Sequence, residues 1–295
     1  MNDRLRMLDP LNTWSDYRTT VRAFDAVLEH GKAVAAVWAA HPTDGAQATY
    51  GERIFGKLLG HCVALRRLAA DPMQAAPRDL GELPSMSALA RCVIEAFDAF
   101  EYVAGHRISE SERGFRIRLW ELHDATRRLK ILAALGVQDP GIEEIRADAQ
   151  RLQAAIESHE HLATLPAELQ AELRRRFARA DPPAFHLDQR QRCSLSGIDP
   201  HWHDMATLQL TQHMQTLPFS TRQLLMIPPG TPEGLGLLAQ PLVLSLPLLV
   251  RVIQTAAALM PANAPEPPSR TARTMQAWRS VAKRPTRSPL EPSTA

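Results

Sequence analysis

The sequence predicts an all-α protein, a multi-helix bundle of antiparallel helices followed by a disordered C-terminal tail. Three observations carry this reading. Apolar residues recur at three- and four-residue intervals through most of the first 180 positions. Alternating runs of strand length are absent. Ala and Leu dominate a chain whose aromatic fraction is only 5%. At 295 residues the chain can bury a core of its own. One helical domain over 1–260 is expected, with a candidate sub-boundary near 180–200, and a Pro-rich basic tail over 261–295.

The elements follow in order. A first helix is predicted over about 14–39 and a second over 47–70, separated by the turn-forming HPTDG and paired as a hairpin. Ser85 or Ser87 can cap a third helix running to about 104. Ser109 and Glu112 have the spacing of a reciprocal capping box, opening a fourth helix that Gly136 should stop. Asp139-Pro140 and Pro166 each open a further helix. The pattern loosens over 180–200, and helices resume near 200–215 and from about 220. Thr231-Pro232-Glu233 then starts a long apolar segment to Met260. Gly234 to Val250 holds no charge but is short for a membrane span, carries Pro241 and Pro247, and lacks an aromatic belt. A central core helix is the expectation, and a membrane is not an expected partner.

Cys62, Cys92 and Cys193 are widely spaced and odd in number, which suggests neither a disulfide framework nor a zinc site. The first residues, MNDRLRMLDPLNTW, mix both charge signs without an apolar run, so a cytoplasmic protein is expected. Net charge is +2. Six basic residues against Glu266 and Glu291 concentrate positive charge after residue 260, so the body has no global field to gather a polyanion.

In RIRLWELHDATRRL, Arg118 is followed five positions later by His123. A metal-free ribonuclease needs a histidine to move the ribose proton and an arginine to stabilise phosphate charge. On a regular helix, however, five residues separate the two by about 140°. Arg91, Glu95, Asp98 and Tyr102 share one stripe of an otherwise apolar helix, read as a buried polar clamp between helices ahead of a ligand site. His159-Glu160-His161 and His201-Trp202-His203-Asp204 pair histidines at i, i+2, about 200° apart on a helix. No metal site and no cofactor are expected. No Gly-rich phosphate loop or nucleophile elbow occurs.

Three stretches, SALARCVIEAFDAFEYV, SESERGFRIRLWELHDATRRLKIL and LQLTQHMQTLPFSTRQLLMIPPGTPEGLGLLAQPLV, resemble in wording and order an uncharacterised family of bacterial all-helical proteins. The resemblance spans roughly residues 50–260. Arg91, Glu95, Phe115, Arg116, Trp120, Glu121, Arg127 and the corner Thr216-Leu-Pro-Phe-Ser220 match best. Where the family's wording implies a histidine before that corner, this chain has Gln215, with His213 at an aromatic position. More remotely, the helical arrangement with Arg-x4-His is similar to the HEPN ribonucleases, which implies a dimer and an RNA substrate. Leu119 stands where those proteins commonly carry a polar residue.

The leading expectation is therefore a helical binding or interaction module. Its polar residues of interest are Arg91, Glu95, Asp98, Tyr102, Glu121, Arg127 and His213. The alternative is a metal-independent endoribonuclease in which His123 moves the proton and Arg118 or Arg91 stabilises phosphate charge. A homodimer fits either reading.

Overall fold

The structure is a computed structural model that describes residues 13–41, 44–71, 73–74, 79–260 and 262–283. Among the described residues it consists of helices, with a lone antiparallel bridge between Ile198 and Lys283 and no named strand. The all-α expectation holds. The chain divides into two compact units: Met1–Glu101 with Cys193–Ala295, and Tyr102–Arg192.

In the first unit, α1 (Trp14–Ala40) opens on a capping box between Thr13 and Asp16. Gly45, at φ +102°, turns the chain into α2 (Ala46–Leu68) in a conformation that suits glycine. α3 (Leu83–Phe100) starts earlier than its serines suggested. Pro84 sits in its first turn, Glu82 is the N-cap, and neither Ser85 nor Ser87 caps; Ser87 is buried inside the helix. The chain continues through α9 (Pro200–Met214), α10 (Pro218–Met226) and α11 (Pro232–Leu259), the last capped by Thr231.

α11 is the centre of this unit, packing against α1, α2 and α3. It is the one described helix long and apolar enough to cross a membrane, and 61% of its apolar window is buried inside the fold. Each fully buried Leu or Ile along it contributes about 1.5–3 kcal/mol, a sufficient reason for its composition. Gly31 permits the closest approach of α1 to α11: a Cβ there would stand 2.9 Å from Ile253 Cδ1.

The tail expectation is corrected over part of its length. Ser269–Arg279 forms a helix, α12, packed on α11 and α1 with Thr271, Met275 and Trp278 buried. Those buried side chains recur at i, i+4 and i+7, and Met275 and Trp278 supply the apolar contact that holds one face of a basic helix. Disorder expected over 284–295 lies outside the described residues.

A π-helical turn, Glu101–Gly105, follows α3, and the second unit begins within it at Tyr102. That unit contains α4 (Glu110–Ala134), α5 (Gly141–Glu157), α6 (Glu160–Thr164) and α7 (Ala167–Ala178). Phe115, Leu119 and Leu122 from α4 meet Ile156, Leu162, Leu173 and Phe177 in one core. Gly136, at φ +66°, stops α4, with Val137 N–H donating to the Leu132 carbonyl as in a Schellman motif. A short helix that the loosened pattern did not predict, α8 (Gln189–Ser196), carries the chain from this unit to the other.

Candidate functional site

The Ser109–Glu112 capping box is only half formed. Ser109 Oγ accepts from Glu112 N–H at 3.1 Å, but the Glu112 carboxylate turns away from the cap to take Arg116 one turn on. The reason is burial. Arg116 is 0% exposed, and a buried guanidinium needs a counter-charge more than a cap needs a second hydrogen bond.

Arg116 donates through Nε to Glu112 Oε1 at 3.0 Å and through Nη1 to the Tyr102 carbonyl at 3.1 Å. Its guanidinium carbon lies 4.6 Å from the Tyr102 ring centroid. Nη1 also donates to His106 Nδ1 at 2.7 Å. Arginine cannot accept a proton, so His106 is neutral with its hydrogen on Nε2. Burial, reinforced by Arg116, Arg113 and Arg192, pushes the His106 imidazole down to about 3. Arg113 donates to the carbonyls of Val103, Ala104 and His106. Two arginines of α4 thus satisfy carbonyl groups in and just after the π turn.

Beside this pair stand two more imidazoles. One ligand atom each from Glu112, His161 and His186 lie within 4.8 Å of one another. His186 Nδ1 is 2.8 Å from Tyr102 Oη, and burial, followed by Arg116 and His161, lowers this imidazole to about 3. His161 is likewise lowered by burial, and its Nε2 is buried without a hydrogen-bond partner. The Phe115 ring packs within 5.1–5.8 Å of the rings of His159, His161 and His186, an apolar wall for the cluster.

The residues singled out by the sequence are distributed differently. His123 Nδ1 is 2.8 Å from the Pro182 carbonyl, so Nδ1 carries the hydrogen and Nε2 the lone pair when the ring is neutral. Arg118 faces elsewhere: its Nη1 lies 3.0 Å from where a Cβ at Gly114 would stand, and after burial it is the next cause of the lowered His159 imidazole. Arg127, one turn beyond His123, pairs with Asp181, as Lys130 does. Glu121 is half-buried on the same helix. A surface cleft of about 380 Å³, lined by Leu129, Lys130, Val137 and Ile142 among others, includes none of these candidates.

In the first unit, Arg91 and Glu95 form the expected i, i+4 ion pair at 3.2 Å, but Glu95 is 64% exposed, so the buried clamp is corrected to a surface pair. Asp98 of the stripe is half-buried, 3.3 Å from His203 Nε2. Tyr102, the stripe's last residue, belongs to the second unit and serves His186 and Arg116.

His213 is buried, with neither ring nitrogen partnered, and its ring is 6.3 Å from that of Phe219. Exposed large apolar residues are concentrated around it in the sequence. Of the thirteen exposed large apolar residues described, eight fall between Met205 and Met226. Leu208 is 62% exposed, Phe219 52%, Leu225 82% and Met226 65%. The corner Thr216–Ser220 builds this surface: Pro218 opens α10, and Ser220 Oγ donates to the Gln215 and Leu217 carbonyls. Comparison with protein-family models, curated proteins and solved structures finds no match.

Sequence reasoning missed Glu112, His106 and His186, and treated Arg116 only as part of a resemblance. Glu112 and Arg116 had a readable signal, an i, i+4 pair flanking Phe115 on a helix with an apolar stripe. His186 lies 74 positions beyond Glu112 in an irregular segment, where helical periodicity supplies no geometry.

Proposed function

We propose that this chain is a helical interaction protein whose contact surface is the apolar α9–α10 corner, and that its occupant is a second copy of the chain. The concentration of exposed large apolar side chains between Met205 and Met226 carries the reading. Exposed apolar patches of this kind mark interaction sites. From Met205 to Gly230 the only side chain of fixed charge is Arg222. Depletion of charge at the centre of a patch is the composition of self-associating interfaces, whereas partners that meet transiently keep more charge.

The endoribonuclease alternative has one favourable feature, the His123 tautomer with its lone pair on Nε2. Against it, Arg118 turns to Gly114 and His159 within the unit, and Arg127 is tied to Asp181. The oligomer reading is tested by sedimentation velocity over a concentration series, with Leu225→Glu and Phe219→Ser compared at equal circular dichroism. A wild-type dimer that either change dissociates supports it. A wild-type monomer at every concentration, or a dimer indifferent to both changes, overturns it. Cleavage of mixed RNA in excess chelator, lost in His123→Ala, would instead favour the enzyme.

A further inference from the structure

We propose that Glu112, His161 and His186 form a site for one divalent transition-metal ion of the zinc class, bound through one carboxylate oxygen and two imidazole nitrogens with a fourth position open to water. This goes beyond the interaction reading and uses residues of the other unit. Two histidines, one carboxylate and an open position form a recurrent zinc coordination set. In a tetrahedral site with bonds of about 2.1 Å, ligand atoms stand about 3.4 Å apart. The ligand atoms lie within 4.8 Å of one another, so binding would draw them together by at most about 1.4 Å.

His161 is the discriminating residue. Its Nε2 is buried without a partner, while its backbone N–H and Nδ1 already face His159 Nδ1 at 3.2 Å and Thr164 Oγ1 at 3.4 Å. A polar network serving packing alone would leave that nitrogen at a cost of about 1–3 kcal/mol. A metal would occupy its lone pair. His213 also has unpartnered ring nitrogens, but no group of three ligands forms around it among the described residues.

The outer shell fits the same use. The 2.8 Å contact between His186 Nδ1 and Tyr102 Oη fixes the ring, and in the tautomer with the hydrogen on Nδ1 the Nε2 lone pair is available, the second-sphere arrangement metal-bound histidines commonly show. Arg116 directs both of its contacts with Glu112 to Oε1, which leaves Oε2 for the ion. The charge of Arg116 opposes that of the ion, so the site should bind less tightly than one without a cation beside its carboxylate.

The test titrates chelator-stripped full-length protein with Zn²⁺, and with Co²⁺ followed by visible absorption. One equivalent per chain is expected, with the intense bands of four-coordinate Co²⁺ and greater hydrogen-exchange protection within 102–192. His161→Ala and Glu112→Gln are chosen because both residues are partly exposed; Glu112→Gln also removes the counter-charge of Arg116, so His161→Ala is the cleaner of the two. Each should weaken binding about tenfold or more, while exposed His201→Ala leaves it unchanged. No stoichiometric binding by the wild type would overturn the site, as would wild-type affinity in both ligand variants at equal circular dichroism.

Discussion

Glu101, in the first unit, is a buried carboxyl whose Oε1 accepts from Thr255 Oγ1 at 3.1 Å. Burial raises it to about 7, offset in part by Thr255 and Arg251 and reinforced by Asp98. Arg251 does not neutralise it fully, because the guanidinium is committed to the Ser196 and Gly197 carbonyls at 2.7 and 3.1 Å. The folded value lies above the unfolded one of 4.5, so between these pH values the native chain keeps a proton that the unfolded chain releases. Stability is therefore full below about pH 4.5 and falls as pH rises through 7. At about 1.4 kcal/mol per pH unit, the loss by pH 8 is on the order of 3 kcal/mol. Glu101→Gln retains an acceptor for Thr255 and removes the titration. It should match the wild type near pH 4.5 and exceed it by that amount at pH 8. Urea unfolding followed by tryptophan fluorescence reports this unit, which holds Trp14, Trp38, Trp202 and Trp278 of the five tryptophans. A variant destabilised equally at both pH values would refute the reasoning, because the native carboxyl would then be ionised and paired.

Three further outcomes are expected. Arg116→Met leaves Glu112 without its cation and removes donors from the Tyr102 carbonyl and His106, costing about 3–5 kcal/mol; hydrogen exchange within 102–192 should collapse first. Gly31→Val drives branched carbons into Ile253 and Leu59 and should cost about 1–3 kcal/mol by urea unfolding. His123→Ala removes one hydrogen bond, to Pro182, and should cost about 1 kcal/mol, with faster exchange confined to the segment around 182.

The helices were legible because burial writes a 3.6-residue period into sequence, and the Thr231 cap and Gly136 stop are local chemistry. Errors arose where tertiary demands overrode local ones. Glu112 had the spacing of a capping box, but a fully buried Arg116 claimed its carboxylate. Ser85 and Ser87 had cap chemistry, yet Pro84 set the start of α3. Glu95 was assigned to a buried clamp because its neighbours in sequence are apolar, while its own direction on the helix points to solvent. Trp278 and Met275 looked like sparse apolar residues in a disordered tail, and only α1 and α11 supply the surface that makes Ser269–Arg279 fold. The histidine cluster was invisible for a different reason: its members come from α4, α6 and the irregular segment before α8, and no single periodicity spans them.

The wheel of α4 also separates Arg118 from the arginine two positions earlier. Residues 112, 113, 116 and 119 fall within one broad face. Phe115, Arg116 and Leu119 are all completely buried, so that face meets the π turn and the core at once. Arg118 is about 200° from Arg116 and therefore cannot replace it at the Tyr102 and His106 acceptors. The same geometry fixes where a ligand can enter. Whatever binds beside Glu112 meets two neutral imidazoles, one carboxylate already shared with a cation, and a wall formed by Phe115. An anion would gain Arg116 only by displacing Glu112, exchanging one buried ion pair for another with little net return. A divalent cation would instead use the remaining carboxylate oxygen and the unpaired His161 nitrogen, leaving the Arg116 contacts intact.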